Sequence, residues 1–189
     1  MRSTLLTIEN MFSSSDKVAL SNFIGRFGPD SFLVLIFILI SPNLIPFLSQ
    51  FGIAELTSGM VCLISLQLMT GREMPWLPQK MANREMSCKK IAIVGDRVFP
   101  VLYKLDLLTQ PRLKMLSDVR MYRFYGLMFF ILAMLILLPL PFFNYAPAVV
   151  IMLSVIGLLN RDGFFLLAGL SMFMIILTGL TFTLAAMIM

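Results

Sequence analysis

The sequence predicts an all-α integral membrane protein with about five transmembrane or re-entrant helical segments, and three observations carry that prediction. Hydrophobic residues make up 59% of the 189-residue chain and charged residues 13%, with a mean hydropathy of +0.91; soluble domains keep roughly 45–50% apolar and about 25% charged. Apolar legs of helical length recur in pairs, each pair joined at a corner with two prolines. All fifteen Lys and Arg fall before, between or after these pairs and none at the corners, as the positive-inside rule arranges them. The length leaves room for a single membrane domain, 1–189, at about 20 residues per span.

Residues 1–30 read as an amphipathic N-terminal segment. Leu5, Ile8, Met11 and Phe12, then Val18, Leu20, Phe23 and Ile24, alternate with serines and charges, the composition of a helix lying on a membrane surface over 4 to 27. Gly25 and Gly28-Pro29 end it. Glu9, Asp16 and Asp30 interrupt any apolar core of signal-peptide length, so no cleaved signal is expected and the first true span serves for insertion.

The first hairpin occupies 31–70. Its first leg runs from Ser31 to about Leu48 and is broken at Ser41-Pro42-Asn43-Leu44-Ile45-Pro46, where Pro42 and Pro46 remove backbone donors from the helical ladder. The second leg, Ile53 to Thr70, stops at Gly71-Arg72-Glu73. Residues 71–123 then hold eleven Lys/Arg against five Asp/Glu, the one substantial polar region. Ile91, Ile93, Val94, Val98, Val101, Leu102, Leu105 and Leu108 recur among its charges. Gly95 and Pro100 divide that pattern into short interfacial helices.

The second hairpin, 124–160, repeats the layout. An apolar leg from Phe124 reaches Phe143 through the corner Pro139-Leu140-Pro141, and a leg from Tyr145 to Leu159 ends at Asn160-Arg161-Asp162. About 15 residues at 1.5 Å each fall short of a hydrocarbon core of about 30 Å, so this leg is either re-entrant or a short span in thinned bilayer. The last segment, 163–189, carries no charge from Phe164 onward and spans with tilt. Leg, paired-proline corner, leg and an Arg-acid stop, seen at 31–73 and 124–162, are the pattern of an internal repeat; convergent hairpins without common ancestry would look alike.

Charge then sets the topology: the N-terminus and the 71–123 loop are cytoplasmic, at the inner membrane, and Met189 is outside. The formal charge of +5 reads as topology and contact with anionic lipid, not as nucleic-acid binding. Cys62 and Cys88 form no CxxC pair and histidine is absent, which predicts neither a disulfide framework nor a zinc site. No cofactor or metal is expected.

Broken backbone inside a membrane is tolerated where protein or a water-filled cavity satisfies the freed groups, so the corners are candidate sites. Asn43 and Asn144 are their polar side chains, suited either to sugar hydroxyls or a lipid phosphate, or to capping the broken helices. Glu55 is an acid within an apolar leg, a candidate proton relay close to the outer surface. Gln67, Arg72, Arg161 and Asp162 form the candidate binding set at the cytoplasmic ends, with Arg112 and Arg123 as further guanidiniums that pair with phosphate through two parallel bonds. Trp76, in Pro75-Trp76-Leu77-Pro78, reads as an interface anchor. No phosphate-binding glycine loop, nucleophile triad or close carboxylate pair is present in the sequence, so no catalytic residue is assigned and the reading leans away from an enzyme.

Together, several motifs resemble the ExoD family of bacterial membrane proteins associated with exopolysaccharide synthesis. They are Gly25-Arg26-Phe27-Gly28-Pro29, Pro42-Asn43-Leu44-Ile45-Pro46, Gln67 with Gly71-Arg72 and Pro75-Trp76-Leu77-Pro78, Pro111-Arg112-Leu113, and Leu138-Pro139-Leu140-Pro141-Phe142 with Asn144, Pro147 and Asp162-Gly163. Glu55 lies outside this pattern. The resemblance implies a link to exopolysaccharide production without naming a chemical step. The expected activity is support of synthesis or export by engaging a polyprenyl-phosphate-linked sugar, with Asn43 and Asn144 in an intramembrane pocket and Arg72 and Arg161 on phosphate. The alternatives are a small solute- or ion-coupled transporter and a scaffold that docks polysaccharide synthesis enzymes on the basic loop. Membrane lipids are partners in every case, and a homo-oligomer is compatible with all three.

Overall fold

Each apolar leg becomes a helix and each stops where backbone chemistry demands it. The computed structural model describes residues 17–19, 30–44, 53–72, 74–76, 85–87, 114–118, 121–138 and 144–188. Among these are five α-helices: α1 (Ser31–Ile40), α2 (Ile53–Met69), α3 (Tyr122–Leu137), α4 (Tyr145–Asn160) and α5 (Gly163–Ile188). Helix α1 gives way one residue before Pro42 to a 3-10 turn, Ser41–Leu44, and the Ser41 hydroxyl bonds the Ile38 carbonyl at 2.8 Å. Leu138 adopts an extended ψ of 123° ahead of Pro139, because the proline ring excludes helical backbone from its predecessor. Gly71 closes α2 with a φ of +74°, a left-handed conformation that costs glycine least. Arg161 closes α4 at φ 54°. The Asp162 amide bonds the Gly157 carbonyl at 2.8 Å and the Arg161 amide bonds Leu158 at 3.2 Å, a Schellman stop carried by a residue other than glycine.

A short antiparallel ladder departs from the all-helical expectation. Strand β1 (Lys17–Ala19) pairs with β2 (Glu85–Ser87), Val18 facing Met86 in register. The helix expected over 4 to 27 is therefore absent at those three residues, whose backbone groups bond another segment of chain. The rest of that lead-in, most of the 71–123 loop, and Pro46, Pro139, Pro141, Cys88 and Arg112 lie outside the described residues.

Helix α2 packs most extensively on α3, and α4 on α5; α1 lies against α2 and α4, and α3 against α4. Close approach needs small side chains. A Cβ at Gly126 on α3 would lie 3.0 Å from the Met69 amide nitrogen and 3.1 Å from the Ser65 carbonyl oxygen of α2. The core holds Phe32, Ile36, Tyr125, Phe129, Leu132 and Ile151, all essentially without exposure. Apolar side chains also cover the outside: Leu56, Leu63, Phe164, Ile175 and Phe182 are mostly exposed.

Among the described residues one helix is long and apolar enough to cross a membrane, Gly163–Thr183 within α5, with a mean hydropathy of 2.2. The others are apolar but shorter. With 17 residues in α2 and 16 in each of α3 and α4, they rise about 24–26 Å, whereas the 26 residues of α5 rise about 39 Å. The shortness expected of the 145–159 leg is thus shared by α2 and α3, and not by α5, on which α4 packs most extensively.

Candidate functional site

The bundle has two chemically distinct ends. The starts of α1, α3 and α5 and the stops of α2 and α4 share one end, rich in arginine; the stops of α1 and α3 and the starts of α2 and α4 share the other. From Thr57 to Thr70 along α2 is about 20 Å at 1.5 Å per residue, so the two ends are separate places.

At the corner end, the 3-10 turn lies against α4 and the start of α2. Asn43 is buried there. The Thr57 hydroxyl donates to its Oδ1 at 3.1 Å, and its Nδ2 donates to the Ser58 hydroxyl oxygen at 3.4 Å. Asn43 therefore ties the break in the first hairpin to α2. Asn144 precedes α4 but its side chain does not cap it. Its Oδ1 and the Glu55 Oε2 are buried, and among the described residues neither has a hydrogen-bond partner.

At the basic end, the Gln67 amide pairs with the Trp76 backbone as a neighbouring strand would: the Trp76 amide donates to Oε1 at 2.6 Å, and Nε2 donates to the Trp76 carbonyl at 3.2 Å. Gln67 thereby holds the Pro75-Trp76 segment against the end of α2, while the Trp76 side chain is 62% exposed. Arg72 is exposed just past the Gly71 turn. The Arg123 guanidinium covers that turn so closely that a Cβ on Gly71 would meet Nη2 at 2.6 Å and Nε at 2.8 Å. Arg123 and Arg72 are thus neighbours through Gly71, a link that spacing 51 residues apart in sequence does not reveal. Asp162 is buried and accepts a bond at 2.9 Å from the Phe164 amide, capping α5.

The Tyr122 hydroxyl donates to Asp30 Oδ1 at 3.0 Å, fastening the start of α3 to the start of α1. Arg161, exposed and left-handed, is near enough for its charge to act on that hydroxyl. Behind this rim are buried polar atoms that sequence reading did not single out. Among the described residues, the Tyr125 hydroxyl, the Ser65 hydroxyl and both amide atoms of Asn160 make no hydrogen bond. No cluster of three or more His, Cys, Asp or Glu suited to a metal ion occurs among the described residues.

The order of these features along the chain has a family behind it. The profile of the family described as "Exopolysaccharide synthesis, ExoD" matches residues 2–183. The chain belongs to the ExoD family. Among curated relatives, Protein ExoD of Rhizobium meliloti (strain 1021) is 32% identical over 174 residues, covering 89% of this chain and 72% of that protein. An uncharacterized protein of Synechocystis is 26% identical over 149 residues, covering 78% of this chain and 69% of its own length. No solved structure matches. ExoD membership points to a role in exopolysaccharide synthesis, and the apolar bundle with one long helix is compatible with a membrane protein.

Proposed function

We propose that this ExoD-family chain is a multi-pass inner-membrane protein that supports exopolysaccharide synthesis or export by binding a polyprenyl-phosphate-linked sugar at its basic end. The observation that carries this reading is the gathering of Arg72, Arg123 and Arg161 at one end of an apolar bundle. A polyprenyl phosphate has the same division: a long hydrocarbon that lies with lipid and a phosphate at the headgroup level. Guanidinium donors match phosphate oxygens in pairs, and apolar helix faces such as those bearing Leu56 and Leu63 take the tail. The N-terminus and the 71–123 loop face the cytoplasm in this reading, by the positive-inside rule.

The test uses the full chain in nanodiscs with a fluorescent polyprenyl phosphate. Selective binding over a phosphate-free polyprenol is expected. Arg72→Ala should weaken it by about three- to tenfold, the range for a charge-assisted bond at a screened surface. Absence of selective binding, or an unchanged affinity in Arg72→Ala, would sink the proposal.

The corner end favours a second reading. Asn43, Thr57 and Ser58 form a polar contact beside an apolar core, and Glu55 adds a carboxylate in the first turn of α2; broken helices with such groups are where coupled transporters hold solutes. Solute or ion flux into proteoliposomes that is lost in Glu55→Gln or Asn43→Ala would promote this reading above the first.

A further inference from the structure

A sugar linked to phosphate through one oxygen carries its hydroxyls within a few ångströms of that phosphate. The corner asparagines are about 20 Å from the arginines along α2, too far to serve the same sugar. The hydrogen-bonding groups for the sugar must therefore lie at the basic end itself, and two residues there meet the requirement.

Helices α3 and α4 pack on each other; Tyr122 is the first residue of α3 and Asn160 the last of α4, and both belong to the basic end. Tyr125 is one turn further in. Asn160 is next to Arg161 in the chain, and Tyr122 next to Arg123. Side chains on a helix lean toward its N-terminus, which for α3 is the basic end. The Tyr125 side chain has no exposure at all, yet its hydroxyl and both amide atoms of Asn160 make no hydrogen bond among the described residues. Leaving a buried donor or acceptor unmade costs about 1–3 kcal/mol per group, and native interiors rarely tolerate it. Packing does not account for them: phenylalanine and leucine would fill nearly the same space without the cost.

We propose that the Tyr125 hydroxyl and the Asn160 amide recognise hydroxyl groups of the first sugar of a phosphate-linked glycan, beneath the phosphate held by Arg72 and Arg161. The pair offers what a sugar needs: an amide that both donates and accepts, and a phenol that does either. This assignment rests on the phosphate reading above, and it moves sugar recognition from Asn43 and Asn144 to residues beside the arginines.

The experiment compares binding of a polyprenyl diphosphate sugar and the same polyprenyl diphosphate without sugar to the full chain in nanodiscs. Wild type is expected to prefer the glycosylated lipid. Tyr125→Phe and Asn160→Leu should each reduce that preference by about three- to tenfold, the loss of one neutral hydrogen bond, while leaving affinity for the sugar-free lipid unchanged. Arg161→Ala should weaken both lipids equally. A preference unchanged in both Tyr125→Phe and Asn160→Leu overturns the assignment while the phosphate reading stands; failure of wild type to bind either lipid overturns both. Thermal unfolding supplies an independent check on fold and role. If the Tyr125 hydroxyl is unpartnered without ligand, Tyr125→Phe leaves the unliganded midpoint unchanged or raises it, and a marked fall would assign the hydroxyl to structure and overturn the proposal.

Discussion

Arg161 holds a backbone conformation that L-residues with a Cβ adopt at a cost of about 1–2 kcal/mol, at a helix stop where glycine is the common choice. Its φ is 54° and the residue is exposed. Arg161→Gly removes both the strain and the charge. It is expected to raise the unfolding midpoint by a few degrees while weakening polyprenyl phosphate binding, an opposition that a purely structural residue would not display; a fall in both would assign Arg161 to the fold. Gln67 has the contrary profile. Its two bonds to the Trp76 backbone are both to exposed groups, so Gln67→Ala should cost little stability. The segment it holds would lose its anchor, however. Because Trp76 is the chain's single tryptophan, its steady-state fluorescence anisotropy should drop in Gln67→Ala and stay at the wild-type value in a distant control such as Thr181→Ala.

The helix pairs depend on close backbone approach, most clearly between α2 and α3 at Gly126, where a side chain would strike the Met69 amide nitrogen and Cγ and the Ser65 carbonyl oxygen. Backbone within a helix has little room to move, so Gly126→Val must separate the helices. Overpacking of this kind costs about 1–3 kcal/mol, and the variant is expected to unfold at lower temperature than wild type, whereas Gly59→Ala, with nothing within 4 Å of the added carbon, should not. The sequence shows the helices themselves well, because uninterrupted apolar residues bounded by Pro42, Gly71, Pro139 and Arg161 leave few other conformations. It also shows that Arg72 and Arg161 each follow the second leg of a hairpin, since all basic residues lie outside the corners. Pairwise geometry is another matter. That Gln67 grips the Trp76 backbone, that Arg123 covers Gly71, and that Lys17–Ala19 pairs with Glu85–Ser87 all depend on where loops return, which no local periodicity encodes. Tyr125 and Asn160 are invisible for a different reason: an unpartnered buried atom is a property of everything packed around it.

Across the whole molecule, helix lengths disagree with one another. Helices α2, α3 and α4 rise about 24–26 Å and α5 about 39 Å, and among the described residues only α5 passes the length needed to cross a bilayer. The C-terminal half of α5 carries large uncovered apolar side chains: Met174, Ile175 and Phe182 are 60%, 70% and 75% exposed. Under the proposed membrane reading, lipid meets two hydrophobic thicknesses around one protein. On the α5 side a full core of about 30 Å is spanned with tilt, while around α2 and α3 the bilayer must thin or the corners must end inside it. Mismatch costs fractions of a kcal/mol per ångström, and with several helices short by about 5 Å each the sum is large enough to measure. Reconstituted into phosphatidylcholine vesicles of increasing acyl-chain length, the protein is expected to unfold at its highest temperature in the shorter-chain, thinner bilayers and to lose stability steadily as thickness grows. A midpoint that rises toward thick bilayers would mean that the hairpins span more than their helices measure, and would count against corners that stop within the membrane.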